Sequence, residues 1–252
     1  MRAKQLLERV GQSLKNVLRA RFHAQPEALQ TAIRNLWFEL KTARHARRAA
    51  ASFQALQDRQ HLKVHIGAGD DIRSGWVNID LMLRVPPDFD RAAQPDTHLI
   101  DYDLRRGLPL AADSCDYIYS SHFFEHLEYK QGLRLLRDCY RALRPGGVFR
   151  IALPNFEELF AAYLRRDEDY FSLVNINEML PDVEPGTTTM VDHVNYGVYQ
   201  AGEHKCVYDE EKMVLLLRTL GYSHVAPAPY QEGIDPASLL RRRYSFYVEA
   251  VK

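Results

Sequence analysis

Apolar positions in the first sixty residues recur at helical spacing. Leu6, Val10, Leu14 and Val17 fall four, four and three apart, which is one face of a helix. Pro26 suits a first helical turn, and after it Leu29, Ile33, Leu36 and Leu40 continue the stripe, which Ala43 and Ala46 extend. No Gly or Pro falls within residues 27–66. The pattern predicts two helices, over 3–21 and 27–57. From His61 onward the pattern changes to short apolar runs separated by turn residues. Runs at 61–66, 76–79, 98–100, 117–119, 148–153, 222–227 and 244–251 read as strands, the last with period-two alternation. Helices are expected at about 129–143, with Leu133, Leu136, Tyr140 and Leu143 on one face, and at about 208–220. Arg144-Pro145-Gly146-Gly147 and Gly221 end them. Strands alternating with helices predict a doubly wound α/β sheet. Only about nine residues separate the first two strands, fewer than a parallel crossover ordinarily needs, so that crossover is expected to shrink to a turn around Asp70–Ser74.

Composition narrows the class. The chain has 252 residues, 46% hydrophobic and 26% charged, a globular balance that excludes disorder over most of its length. No apolar run reaches the length of a membrane span, and the first twenty residues lack the continuous apolar core of a secretory signal. Cys115, Cys139 and Cys206 are scattered and odd in number, as expected of thiols in a reducing cytoplasm. Net charge is zero, from 33 basic and 33 acidic residues, which argues against a nucleic-acid binder with an overall basic surface. The zero hides a split. Residues 1–60 hold 12 Lys+Arg against 4 Asp+Glu, and residues 61–252 hold 21 against 29. A basic helical extension therefore precedes an acidic body. Arg44, Arg47 and Arg48 crowd its second helix. They read either as the solvated side of a helical cap or as a basic amphipathic surface for an anionic membrane or an acidic partner.

Open α/β sheets bind ligands beyond the carboxyl ends of their strands, where strand order reverses. Those ends carry Gly67 and Gly69, then Asp80, then Asp101 and Asp103, then Ser121 and His122. Glycines let a ligand approach the backbone. A carboxylate ending the second strand can accept both hydrogen bonds of a ribose diol, and one ending the third can accept from an adenine amino group.

Taken in order, HIGAGDDIRSGWVNID, DYDLRRGLPLAADSCDYIYSSHFFEHL and LRPGGVFRIALPN resemble class I S-adenosylmethionine-dependent methyltransferases. They are most similar to a bacterial branch in which a Gly-x-Gly turn is followed closely by GWxNID. EHKCVYDEEKMVLLLRTLGY and SFYVEAVK continue the likeness over residues 61–252. The resemblance implies a Rossmann-like sheet of seven strands, the last antiparallel, with the shortened first crossover. It implies that Gly67, Ala68 and Gly69 face the methionine and ribose of the cofactor. Asp80 would hold the ribose hydroxyls and Leu81 would pack on adenine. Asp103 and Leu104 match the adenine-contacting pair, and Ser121 and His122 would line the floor near the sulfonium. His65, among the cofactor-facing positions, stands where many such enzymes carry an acid, and Asp71 replaces a third glycine.

Two other motifs compete. His122-Phe123-Phe124-Glu125-His126 fits H-x-x-E-H, an inverted zinc-protease motif. A zinc site also needs a further converging ligand, and this segment follows a strand inside the methyltransferase order, so no metal is expected. Glu125 and His126 then serve to fix the loop. A dinucleotide oxidoreductase would want G-x-G-x-x-G opening a full helix, with its acid about 20 residues on. Here Ile72 occupies the last glycine position and Asp80 comes 11 residues after Gly69.

The acceptor side is expected in an insert at 154–207. It begins with a helix over 155–166, whose apolar face is Phe156, Leu159 and Phe160. Pro181, Pro185, Gly186 and three threonines then give a loop signature, and long loops over a sheet edge are commonly lids. Asn195, Tyr196, Tyr199, His204 and Lys205 are candidate substrate-binding groups. A sulfonium methyl is already electrophilic, so the protein mainly aligns a nucleophile and excludes water. A hydroxyl acceptor also benefits from a base, which makes His122, His193 and His204 catalytic candidates. The sequence thus reads as a cytoplasmic methyltransferase that yields S-adenosylhomocysteine. The acceptor suggested by the branch is a sugar hydroxyl in cell-surface glycan or glycolipid assembly. The alternatives are a small metabolite methylated on oxygen or nitrogen, or a binding protein that keeps the fold without turnover. Residues 1–57 would face an anionic inner membrane surface or a glycosyltransferase partner.

Overall fold

The structure, a computed structural model, describes residues 13, 16 and 26–252, apart from 82, 88, 91, 181, 182 and 185. Leu6, Val10, Leu14 and Val17, the face of the first expected helix, lie outside the described residues. The chain divides into two compact units, Met1–Arg48 and Ala49–Lys252. Helix α1, Pro26–Gln54, starts at the expected proline and runs across that boundary. Its expected stripe is only partly right. Leu29 is buried, but Leu36 and Leu40 are 59% and 48% exposed. Ile33, Ala43 and Ala46 of the stripe are half-buried, and Trp37, next to Leu36, is half-buried where Leu36 is not.

Within the second unit the strands are β1 (Leu62–Ile66), β2 (Val77–Asp80), β3 (His98–Asp101), β4 (Cys115–Ser121), β5 (Leu143–Pro154), β6 (Ser223–Ala228) and β7 (Ser245–Val251). The helices are α2 (Tyr129–Ala142), α3 (Phe156–Arg165), α4 (Glu168–Phe171), α5 (Ile176–Met179), α6 (Met190–Tyr199), α7 (Glu210–Thr219) and α8 (Leu239–Arg243). The seven strands form one sheet in the order β3-β2-β1-β4-β5-β7-β6. Strands β1 to β5 pair in parallel, and β7 is antiparallel to both β5 and β6. Strand order reverses between β1 and β4, the place where open sheets hold ligands. The fold is the expected Rossmann-like sheet.

The first crossover is a turn, as its length demands. Asn78, fully buried in β2, holds it together. Its Oδ1 accepts from the Arg73 amide at 2.9 Å, while its Nδ2 donates to the carbonyls of Arg73 (3.0 Å) and Trp76 (3.2 Å). Gly75 donates to Thr97 Oγ1 at 2.8 Å. A side-chain amide thus satisfies backbone groups that a crossover helix would have paired internally.

The two faces of the sheet differ in chemistry. Val64, Ile66, Ile118, Phe149, Ile151, Val248 and Ala250 are buried, as are Leu135, Leu136 and Cys139 of α2 and Met213 and Leu217 of α7. Phe149 rings contact Phe124 and Tyr222 at 6.3 and 6.0 Å between centroids. A capping box between Glu128 and Gln131 starts α2, and Asp209 accepts from the Lys212 amide to start α7. On the other face His65, Tyr119 and Arg150 are buried, under the short crossover and residues 229–235. Arg150 Nε donates to Asp235 Oδ1 at 3.0 Å, its Nη1 to Glu249 at 3.1 Å and its Nη2 to the Pro229 carbonyl at 2.7 Å. Tyr119 donates to Asp235 Oδ1 at 3.1 Å. Arg73 lies 4.0 Å over the Tyr119 ring and donates to the Ile234 carbonyl. The usual apolar layer is here a hydrogen-bonded ionic one.

The insert between β5 and α7 corrects the loop expectation, because α3, α4, α5 and α6 occupy much of it. Thr189 belongs to a helix start, forming a capping box with Asp192. Ala162, Tyr170 and Phe171 make its small core, with Leu159, Val194 and Tyr244 packed against it. Among the described residues no helix is long and apolar enough to cross a membrane.

Candidate functional site

The carboxyl ends of β1, β2 and β4 converge at the reversal point. After β1, Gly67 and Gly69 have φ of +69° and +55°, a region L side chains avoid. A Cβ on Gly67 would stand 2.3 Å from Phe123 Cγ, whereas one on Gly69 would meet nothing within 4 Å. Gly67 is therefore needed for packing, and Gly69 keeps a surface open to a ligand. Ala68, between them, is buried. Asp80 ends β2 and accepts from the Gly69 amide at 3.0 Å, so the carboxylate and the glycine turn are held as one unit. Leu81 follows, partly exposed.

His65 is buried, with Nδ1 3.0 Å from the Asp71 carbonyl. Its Nε2 has no hydrogen-bond partner. Burial first, and then the Arg73 charge, pull its pKa down to about 3, so the ring is neutral. With Nδ1–H donating to Asp71, the acid expected by family pattern is replaced by an uncharged turn-holder.

Asp103, expected beside adenine, is engaged by a neighbouring arginine. It is buried, and its Oδ1 accepts from the Arg105 amide (3.0 Å) and Nε (2.9 Å) while Oδ2 accepts from Arg105 Nη2 (2.8 Å). It caps the short 3-10 turn Leu104–Arg106, and Leu104 is buried. The carboxylate therefore has a local partner two residues away.

After β4 the chain turns sharply. Ser121 is buried, and His122 has φ of +48°, strain of a kind that clusters at functional sites. The His122 amide still pairs with the Ala152 carbonyl at 2.9 Å, and its Nε2 lies 2.7 Å from Ser245 Oγ. His122 opens onto a cavity of about 180 Å³. Phe156 and Leu159 of α3, Phe171, His193 and Tyr196 of α6, His204 and Tyr244 line it. Aromatic and aliphatic groups dominate the walls, and the three candidate histidines bring the polar atoms.

Burial lowers the pKa of all three histidines. Arg241 and the neighbouring imidazoles add to the effect at His122, and His126 adds to it at His204. His204 Nδ1 lies 2.9 Å from the Gly197 carbonyl. A neutral imidazole that donates there keeps a lone pair on Nε2.

The insert brings some expected residues together and not others. On α6, His193 and Tyr196 line the cavity, but Asn195 and Tyr199 are exposed. Helical geometry requires this, since positions 193, 196 and 197 share a face that 195 and 199 do not. Lys205 is also exposed, with its ammonium on the Gly202 carbonyl. These three residues of the expected substrate-binding set lie outside this cavity. The sequence reading missed Phe171, Tyr244 and Arg241. Arg241 on α8 is within electrostatic range of Glu125, Tyr119 and Asp70, although it follows Gly69 by more than 150 residues and no local pattern points to it.

Residues 77–151 match a family model described as a methyltransferase domain. The match runs from β2 into β5 and spans the strand ends that carry Asp80, Ser121 and His122. No curated protein matches the sequence. Similar solved structures include a SAM-dependent methyltransferase from Archaeoglobus fulgidus, 17% identical, with TM-score 0.43 over 85% of this chain and 94% of that one. Another is phosphoethanolamine N-methyltransferase 2 of Haemonchus contortus with S-adenosyl-L-methionine, 12% identical, with TM-score 0.47. This chain covers 52% of that protein, and 82% of this chain is aligned. A third is a possible histamine N-methyltransferase from Thermotoga maritima, 14% identical, with TM-score 0.42 over 88% of this chain and 96% of that one.

Proposed function

We propose that this methyltransferase moves the methyl group of S-adenosylmethionine onto a hydroxyl of an acceptor whose apolar or aromatic body fills the cavity. The observation that carries the reading is the junction at His122. The β4 end that leads into it pairs beside the β1 end, and Phe123 just after it packs against Gly67, while His122 itself lines the cavity. The open space at Gly69 and the Asp80 carboxylate beside it fit a nucleoside whose ribose hydroxyls need an acceptor. When bound, S-adenosylmethionine supplies an electrophilic methyl on a sulfonium.

The chain's own residues supply position and dryness. Asp80 orients the ribose, and its bond to Gly69 means that little is reorganised on binding. The cavity walls hold the acceptor against that end of the site and exclude water, and such alignment can contribute up to about 7–11 kcal/mol in ideal cases. Neutral histidines at the wall can take the hydroxyl proton. Arg241 offers a positive charge for the carboxylate of the methionine moiety.

A sugar ring is not favoured by this lining, because each of its hydroxyls would want a polar partner and the walls are mostly carbon. A phenol or a hydroxylated aliphatic group suits them better. Labelled methyl transfer into fractionated bacterial metabolites, lipids and glycans tests the reading. Incorporation into a hydroxyl-bearing product is expected, reduced at least tenfold by Phe171→Arg. Incorporation only into amines or a glycan fraction overturns the acceptor assignment. Donor binding with no transfer to any fraction supports a protein that binds without turnover. We also propose that the basic leader meets an anionic surface, since Arg44, Arg47 and Arg48 are all exposed.

A further inference from the structure

Glu125 is the least comfortable group in the described structure. It sits in the 3-10 turn Phe124–His126 just beyond β4 and is fully buried. Neither carboxylate oxygen has a hydrogen-bond partner from another residue. A buried carboxylate in that state is costly unless something pairs with it. What surrounds it is a set of imidazoles. His122 Nδ1 lies 3.6 Å from Oε1, and His126 Nε2 lies 4.0 Å from the same atom. A third imidazole arrives from far along the chain. The amides of Lys205 and Cys206 donate to the Glu125 carbonyl at 2.7 and 3.1 Å, which fixes His204 beside the turn. The rings of His126 and His204 stand 4.9 Å apart.

One ligand atom each from Glu125, His126 and His204 falls within 4.8 Å of the others. Donor atoms bound about 2.0–2.2 Å from one ion stand roughly 3–3.5 Å apart, so small side-chain rotations close the set. The outer contacts suit ligation as well. His204 uses Nδ1 on the Gly197 carbonyl, which leaves its Nε2 for an ion. Metal-binding histidines are ordinarily held by the other ring nitrogen in this way. The set is not the one the H-x-x-E-H spacing suggests, since His122 lies outside it and His204 joins Glu125 and His126 through the fold.

We propose that Glu125, His126 and His204 bind a divalent transition-metal ion beside the cavity, which an acceptor hydroxyl can reach as a further ligand. Two imidazoles and one carboxylate favour zinc, cobalt or manganese over magnesium or calcium, which prefer oxygen donors. The ion supplies the charge that Glu125 lacks. Its role in transfer rests on the methyltransferase reading. The ion lowers the pKa of the acceptor hydroxyl, whose proton passes to a wall histidine outside the ligand set, His122 or His193. The oxygen then forms a bond to the methyl carbon, the carbon–sulfur bond breaks, and its electron pair stays on sulfur as the neutral thioether. In this arrangement His204 is a ligand and not a base. Arg241 is the competing partner for Glu125 in an ion-free protein.

The test titrates the full chain, freed of metal, with Zn²⁺ by calorimetry and with Co²⁺ by visible absorption. One ion per chain is expected, with d–d bands that show nitrogen and oxygen ligands. Affinity should fall at least about 100-fold in Glu125→Gln and His204→Ala and stay within threefold in His193→Ala, which changes the cavity and not the ligand set. Circular dichroism checks that each variant folds. No stoichiometric binding by the wild type, or equal binding by the wild type and both ligand variants, overturns the proposal. S-adenosylhomocysteine binding is measured separately on the same samples. Metal binding without it overturns the methyltransferase reading alone, and the reverse overturns the metal site alone.

Discussion

Replacing Gly67 and Gly69 separately by alanine distinguishes two demands that the turn places on its glycines. Both residues sit at positive φ, +69° and +55°, so each alanine pays about 1–2 kcal/mol for the left-handed backbone. At Gly69 that is the whole structural cost, because an added Cβ meets nothing within 4 Å. At Gly67 the Cβ would lie 2.3, 2.4 and 2.6 Å from three Phe123 carbons, so the ring must move. Overpacking of this kind adds about 1–3 kcal/mol. Gly67→Ala should therefore destabilise by roughly 2–5 kcal/mol and Gly69→Ala by about 1–2 kcal/mol. Urea unfolding at constant m-value measures the pair. Gly69→Ala should also weaken S-adenosylhomocysteine binding, since its methyl enters the open space. Equal stability losses would refute the packing argument at Phe123, and unchanged ligand affinity in Gly69→Ala would refute the assignment of that space to the donor.

Three further outcomes follow from other parts of the fold. Asp235→Ala leaves Arg150 buried without its main partner, and should cost about 3–5 kcal/mol in thermal or urea unfolding; a loss below 1 kcal/mol would show that the layer is not a buried ionic one. His65 has a folded pKa of about 3, lowered chiefly by burial, so below about 6.5 the unfolded chain takes up a proton that the folded chain refuses. Stability should fall as pH drops from 6.5 toward 3, and His65→Gln should flatten part of that slope; an unchanged slope would contradict the neutral burial of His65. Reversing Arg44, Arg47 and Arg48 to Glu should abolish low-salt binding to vesicles with anionic lipid, and a wild type that never binds them removes the membrane proposal for the leader.

The parts of the fold that depend on neighbours in sequence were legible, and those that depend on distant partners were not. The β2 strand, its terminal Asp80 and helix α2 follow from apolar spacing and the Pro-Gly stop after it. The nine-residue gap was enough to predict a turn in place of the first crossover helix, though not that Asn78 would carry its hydrogen bonds. The pairing of Asp103 with Arg105 was not legible, because spacing does not separate local partners from ligand partners. Arg150 inside the apolar run Phe149–Leu153 was a visible signal of a buried charge, but its partner Asp235 lies 85 residues on. Two leucines of the α1 stripe, Leu36 and Leu40, proved exposed, and Thr189 looked like loop because a helix cap uses the same residue types as a turn. The nearness of His204 to Glu125 had no signal along the chain, since only the fold brings the two together.

Calorimetric titration of the full chain with S-adenosylhomocysteine tests the central claim most directly, with Asp80→Ala alongside. The account predicts one site per wild-type chain and binding at least about tenfold weaker in a folded Asp80→Ala, the loss of one charged hydrogen-bonding group. No binding by the wild type would contradict the methyltransferase reading, and equal binding by the two proteins would contradict the site built on the β2 end.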